Sequence, residues 1–130
     1  MKAQTAKDDK RIIIFQQLRK LLKKYEPPFI AKSDFDSRYE LWSIKDVTIA
    51  GRKRKEVFFA GLIIQSTYVG FYYMPVYTDV AIKKMFKKEL LSTLKGKSCF
   101  HITSTDQVLL TQIRSALELG LALYRKNEWV

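Results

Sequence analysis

The chain has one cysteine, one histidine, three prolines and five glycines in 130 residues. A lone thiol, Cys99, has no internal disulfide partner, so a reduced, cytoplasmic setting is expected. One histidine and one cysteine also fall short of a closed zinc site, which takes four ligands. Long apolar runs are missing. The longest, Val57 to Ile64, is too short to cross a bilayer. The opening Met1-Lys-Ala-Gln-Thr-Ala-Lys-Asp-Asp9 is polar and lacks the apolar centre of a secretory signal. No dinucleotide-binding glycine fingerprint, zinc-protease helix or nucleophile elbow occurs. These gaps point away from an enzyme, a bound cofactor and a membrane partner. Acids are scarce too: 13 Asp and Glu against 24 Lys and Arg leave a net charge of +11. That excess permits binding to nucleic acid or another anion without requiring it, because net charge also serves solubility.

What is present is aromatic and apolar. The length suits one domain with an ordinary core. The stretch Tyr68-Val-Gly-Phe-Tyr-Tyr-Met-Pro-Val-Tyr77 carries four of the seven tyrosines and reads as the central strand of a sheet. Residues 1–9 read as a mobile lead and 10–130 as a single domain.

Along the chain, Asp8 and Asp9 stand where a helix start favours negative charge and caps. Ile14, Leu18, Leu21, Leu22 and Tyr25 then share one face of a basic amphipathic helix that Pro27-Pro28 stops. Phe29 to Ser37 reads as a loop. Tyr39 to Ile49 reads as a first strand and Ala50 to Lys55 as a hairpin turn. Val57 to Gln65 reads as a second strand, with Phe58, Ala60, Leu62 and Ile64 on one face and Val57, Phe59 and Ile63 on the other. On the third strand, Tyr68, Tyr72, Met74 and Val76 oppose Val69, Phe71, Tyr73 and Tyr77. A helix from Thr78 or Asp79 to Leu94, closed by Gly96, precedes a short strand at Ser98 to Thr103. A last helix follows, with Ser104 and Gln107 at capping-box spacing. The second and third strands are apolar on both faces, where a sheet with one wet face alternates. The face away from the helices therefore needs a cover: a further helix, a partner chain or the walls of a pocket.

Three blocks carry a family resemblance: Gly70-Phe-Tyr-Tyr-Met-Pro-Val-Tyr77, Leu94-Lys-Gly-Lys-Ser-Cys-Phe-His-Ile102 and Tyr124-Arg-Lys-Asn-Glu-Trp129. Together they resemble the YdhG-like family, small bacterial domains largely of unknown function, over roughly residues 10–130. The resemblance implies a two-layer α+β domain with helices on an antiparallel sheet, in the order α-β-β-β-α-β-α. It also implies a possible frataxin-like iron role. Frataxin-type sites are built from surface carboxylates, because iron ions favour oxygen ligands. Here the first helix sets Asp8, Asp9 and Glu26 among many lysines and arginines, so no iron-binding residue is carried over.

Cys99 and His101, two apart on a strand, share a face. Their spacing of about 7 Å is too long for a direct nucleophile–base hydrogen bond. His101 suits a ligand-orienting role in a pocket better than catalysis. The expected function is a non-enzymatic binding module, its second sheet face forming a small-ligand pocket or a homodimer seam. Trp42, Tyr73, Tyr77, Cys99 and His101 are the expected lining. A second reading uses the first helix and the basic run Arg52, Lys53, Arg54 and Lys55 to hold nucleic acid or another anion.

Overall fold

A computed structural model describes residues 9–130, apart from the side chain of Val80. Most of the expected lead, and Asp8 as a cap, lie outside the described residues. Helix α1 (Lys10–Lys23) starts at Asp9, whose carboxylate accepts from Arg11 N at 2.9 Å. The Arg11 guanidinium donates to the same carboxylate and to the carbonyls of Gln65 at 2.7 Å and Ser66 at 3.1 Å. Hydrogen bonds from Arg11 hold the Asp9 carboxyl below the usual carboxylate range. The helix start is thereby tied to the turn at residues 65–68. The expected apolar face is the buried one: Ile14, Leu18, Leu21, Leu22 and Tyr25 all lie in the core.

The sheet is antiparallel and six-stranded. In chain order its strands are β1 (Ile30–Phe35), β2 (Arg38–Ser43), β5 (Val57–Ile64), β6 (Val69–Tyr73), β7 (Leu94–Lys95) and β8 (Cys99–Ile102). In space they run β1-β2-β5-β6-β8-β7. The fold is α+β, with the helices packed on the sheet. The segment 29–37, expected as a loop, supplies edge strand β1. Its Lys32 and Asp34 hide the apolar period, and edge charges of this kind block further pairing.

The expected strand 39–49 divides. It leaves the sheet after Ser43, and β3 (Val47–Ile49) pairs with β4 (Arg52–Arg54) in a separate two-stranded ribbon. Arg52, Lys53 and Arg54 are thus strand residues. The turn is Ala50-Gly51, with φ of +53° and +79°, the two positive values a tight two-residue hairpin demands.

β5 does not alternate as expected. Leu41 pairs with Ala60 while Trp42 pairs with Phe58, so Phe59 is the extra residue of a β-bulge. The bulge sets Phe59 and Ala60 on the same side. The inner face of β5 is therefore Val57, Phe59, Ala60 and Leu62, and its outer face is Phe58, Gly61 and Ile63. β6 keeps the expected alternation as far as Tyr73. Beyond that residue the chain turns into a short helix α2 (Pro75–Thr78) with proline at its first position, which ends the strand.

The helix expected from 79 to 94 is two pieces: a 3-10 turn (Val80–Met85) and helix α3 (Lys88–Leu91), with Phe86 and Lys87 extended between them. A continuous helix would stack Lys83 on Lys87 and Lys84 on Lys88, like charges one turn apart. Gly96, expected as a helix stop, instead turns β7 into β8 with φ of +82°. Helix α4 (Gln107–Lys126) is capped by Asp106, which accepts from Leu109 N at 2.9 Å, in place of the expected Ser104.

Helices α1 and α4 cover the inner face. Phe59 is its centre. It stacks on Phe29 at 4.1 Å and meets Tyr124 at 5.2 Å and Tyr73 at 6.1 Å. Gly120 of α4 lies against this group. A Cβ there would strike the Tyr73 hydroxyl and come within 2.9 Å of Pro75 Cγ and 3.0 Å of Phe59 Cε1. Alanine in a helix ordinarily gains about 1 kcal/mol over glycine. Here the collision outweighs that gain, and Gly120→Ala is expected to cost about 2 kcal/mol in urea unfolding. A stabilised Gly120→Ala variant would show that α4 does not press on the sheet at this point.

Candidate functional site: the uncovered face of the sheet

The outer face follows from register. Ile30 pairs with Trp42, Trp42 with Phe58, Gly61 with Tyr72, and Tyr72 with Cys99; Gly70 pairs with His101. All of these point away from α1 and α4. Among the described residues no helix lies over them. The expected apolar second face therefore exists, and the expected third helical cover does not.

Two glycines shape this surface. A side chain on a strand normally stands up from the sheet. At Gly61 there is none, and the Phe58 ring lies so close that a Cβ would sit 3.1 Å from Phe58 Cζ. At Gly70 the Tyr72 ring does the same, 2.7 Å from such a Cβ. Both rings thus lean over the space that the glycines leave. Trp42 meets Phe58 edge-on at 5.3 Å. Tyr68 stacks flat on His101 at 3.8 Å and 12°. The result is an aromatic band from Trp42 on β2 to His101 on β8. It crosses four strands, about 14 Å at the usual strand spacing. Within it, Trp42, Phe58, Ile63, Tyr72 and Met74 line an open depression of about 460 Å³, with Arg38 and Glu40 at its margin.

Polar groups fix the band. Glu40 accepts from Arg38 at 2.7 Å and from Trp42 Nε1 at 3.2 Å. Gln65 donates to the Tyr72 hydroxyl at 3.0 Å. Lys32 lies 4.6 Å above the Trp42 ring while paired with Glu56, a cation–π contact at the depression's edge. Burial raises the Tyr72 phenol, and its Cys99 neighbour raises it further. Burial likewise raises the Cys99 thiol, with a smaller opposing effect from Tyr72. A raised thiol is a weaker nucleophile at neutral pH.

Of the five expected lining residues, Trp42, Cys99 and His101 share this face, and of these only Trp42 lines the depression. Tyr73 does not: it faces inward, fully buried, with its hydroxyl donating to Ala116 O. Tyr77 does not either. It sits on α2, 53% exposed, in a second open depression with Lys83, Gly96 and Lys97, the Lys97 ammonium 5.9 Å from its ring. Phe58, Tyr72 and Met74 were not expected at the site. Gly61 and Gly70, isolated glycines inside apolar strands, were the available signal, since such glycines mark a close approach.

Arg52, Lys53, Arg54 and Lys55 are all exposed. The ribbon that carries them leaves the sheet between Ser43 and Val57. Tyr73 N donates to Ser98 O at 2.9 Å, so the β7–β8 turn, with Lys95 and Lys97, lies at that same end of the sheet. Among the described residues none of these six cations is in an ion pair. Nor do any three His, Cys, Asp or Glu side chains there converge as metal donors, and no helix among them is long and apolar enough to cross a membrane.

The chain matches no protein-family model, no curated protein and no solved structure.

Proposed function

We propose that this chain is a small non-enzymatic binding module and that the uncovered sheet face is its contact surface. The observation that carries this reading is the group of rings on this face, Phe58 leaning over Gly61 and Tyr72 over Gly70, beside Trp42. Apolar surface left in water costs roughly 25 cal/mol per Å², and an occupant that covers the band recovers that cost. Aromatic rings on an open face favour a flat aromatic or apolar group, which can pack against them. A cytoplasmic setting belongs to the same proposal, because Cys99 is a free thiol on this face. So does the likeness to YdhG-like domains, whose implied two-layer α+β arrangement agrees with this fold. Frataxin-like iron handling draws less support. Asp9 is engaged by Arg11, Asp34 by Arg19, Glu26 by Tyr39 and Glu118 by Tyr25.

The test maps indole, a neutral flat probe, onto the protein by NMR. Shifts are expected at the Trp42 indole N–H, Gly61, Ile63, Gly70 and Met74, and Trp42→Ala should abolish them. Shifts confined to α1 or α4, or none, would overturn the proposal. Sedimentation tests the competing occupant: a dimer that Trp42→Glu dissociates would make the face a seam between two copies.

A further inference from the structure

Resting on that reading, we infer that the occupant is single-stranded nucleic acid, its bases stacked across the aromatic band and its phosphates drawn to the cationic end of the sheet. Three observations converge. The band is built of aromatic rings, and every nucleobase has a π-face that stacks on such rings without regard to sequence. It crosses four strands, which suits two or three splayed bases better than a single flat metabolite. The cations are gathered at one end: Arg52, Lys53, Arg54 and Lys55 on the β3–β4 ribbon, Lys95 and Lys97 at the β7–β8 turn.

Charge complementarity decides between occupants. A second copy of this chain would bring another +11 against the first, whereas a polyphosphate backbone neutralises it. The acids near the band do not cancel that field. Glu40 is held by Arg38 and Trp42, and Glu56 by Lys32; Asp46 faces the ribbon across an open depression. A duplex is disfavoured, because its bases present edges and not faces to an open sheet.

The experiment titrates fluorescein-labelled oligothymidylate, oligouridylate and a duplex of equal length with the full chain at about 50 mM salt. Both single strands are expected to bind and to quench tryptophan emission. Trp42→Ala should weaken binding about tenfold. Replacing Arg52, Lys53, Arg54 and Lys55 together by glutamine should flatten the plot of log affinity against log salt by about two to three units. Two results would overturn the inference: no binding of either single strand, or binding that the duplex matches and Trp42→Ala leaves unchanged. The indole experiment separates the two failures. If indole still shifts Trp42 and Gly61 while the oligonucleotides do not bind, the face is a binding site for something else. If neither binds, both readings fall.

Discussion

Phe59→Ala is expected to remove about 4 kcal/mol of stability, the largest loss of any single truncation on the sheet. The ring is fully buried and touches the rings of Phe29, just ahead of β1, Tyr73 on β6 and Tyr124 on α4. Truncation forfeits the transfer energy of the ring and leaves a cavity that large, mutually braced neighbours cannot close. A domain of this size has roughly 5–15 kcal/mol in hand, so the variant should survive at low temperature and melt about 15 °C lower. Phe58→Ala is the control. Its ring is only half-buried on the outer face, and the loss should be about 1 kcal/mol. Urea unfolding of both variants checks the pair. Equal losses would mean that β5 does not bulge at Phe59 and that the two faces are assigned wrongly.

The same bulge shows why sequence reading stops where it does. Apolar periodicity placed α1 and α4 because both are long, and five or more core residues at helical spacing leave little ambiguity. It also gave the α+β class and the doubly apolar β5 and β6. Strict alternation, however, assumes an unbroken ladder. One extra residue at Phe59 swaps the faces of everything before it relative to everything after, and the string Val57-Phe-Phe-Ala60 carries no mark of the slip. The division of the segment 79–94 was hidden in the opposite way. Its apolar spacing is helical, and only the lysines one turn apart at 83, 84, 87 and 88 argue against a continuous helix.

The candidate site was half legible. Cys99, His101 and Trp42 share a face because β8, β6, β5 and β2 are neighbours, an order that chain sequence alone does not supply. Tyr73 alternates with Val69 and Phe71, and alternation alone does not tell which of the two apolar faces the helices cover. A phenol serves a core equally well when a carbonyl accepts its hydrogen bond, as Ala116 O does here. The rings that matter most, Phe58 and Tyr72, are ordinary strand residues in the sequence. What sets them apart is the missing side chain at Gly61 and Gly70, and that is visible only when the ring is seen lying over the gap.

Stability is expected to collapse between about pH 11 and 13 in a single step that also ionises four buried tyrosines. Tyr25, Tyr39, Tyr73 and Tyr124 are all in the core. Burial is the main cause that holds each phenol above its ordinary value of 10.0. Tyr25 and Tyr39 donate to the carboxylates of Glu118 and Glu26, which would repel a phenolate and raise both further. Each proton is therefore held more tightly folded than unfolded. The contribution is whole below pH 10, where both states keep the proton, and drains as pH rises above it. Each such phenol removes about 1.4 kcal/mol per pH unit, so four acting together remove about 5.5. A stability of ordinary size is then exhausted within one to three units. Absorbance at 295 nm and far-UV circular dichroism, recorded on the same alkaline series, should move together. Tyr25→Phe and Tyr39→Phe should each make the decline shallower, because a ring without a hydroxyl has no proton to lose. Phenols that titrate gradually around pH 10 while the dichroism holds constant would mean that these four rings reach water, and that the aromatic core around Phe59 is not closed.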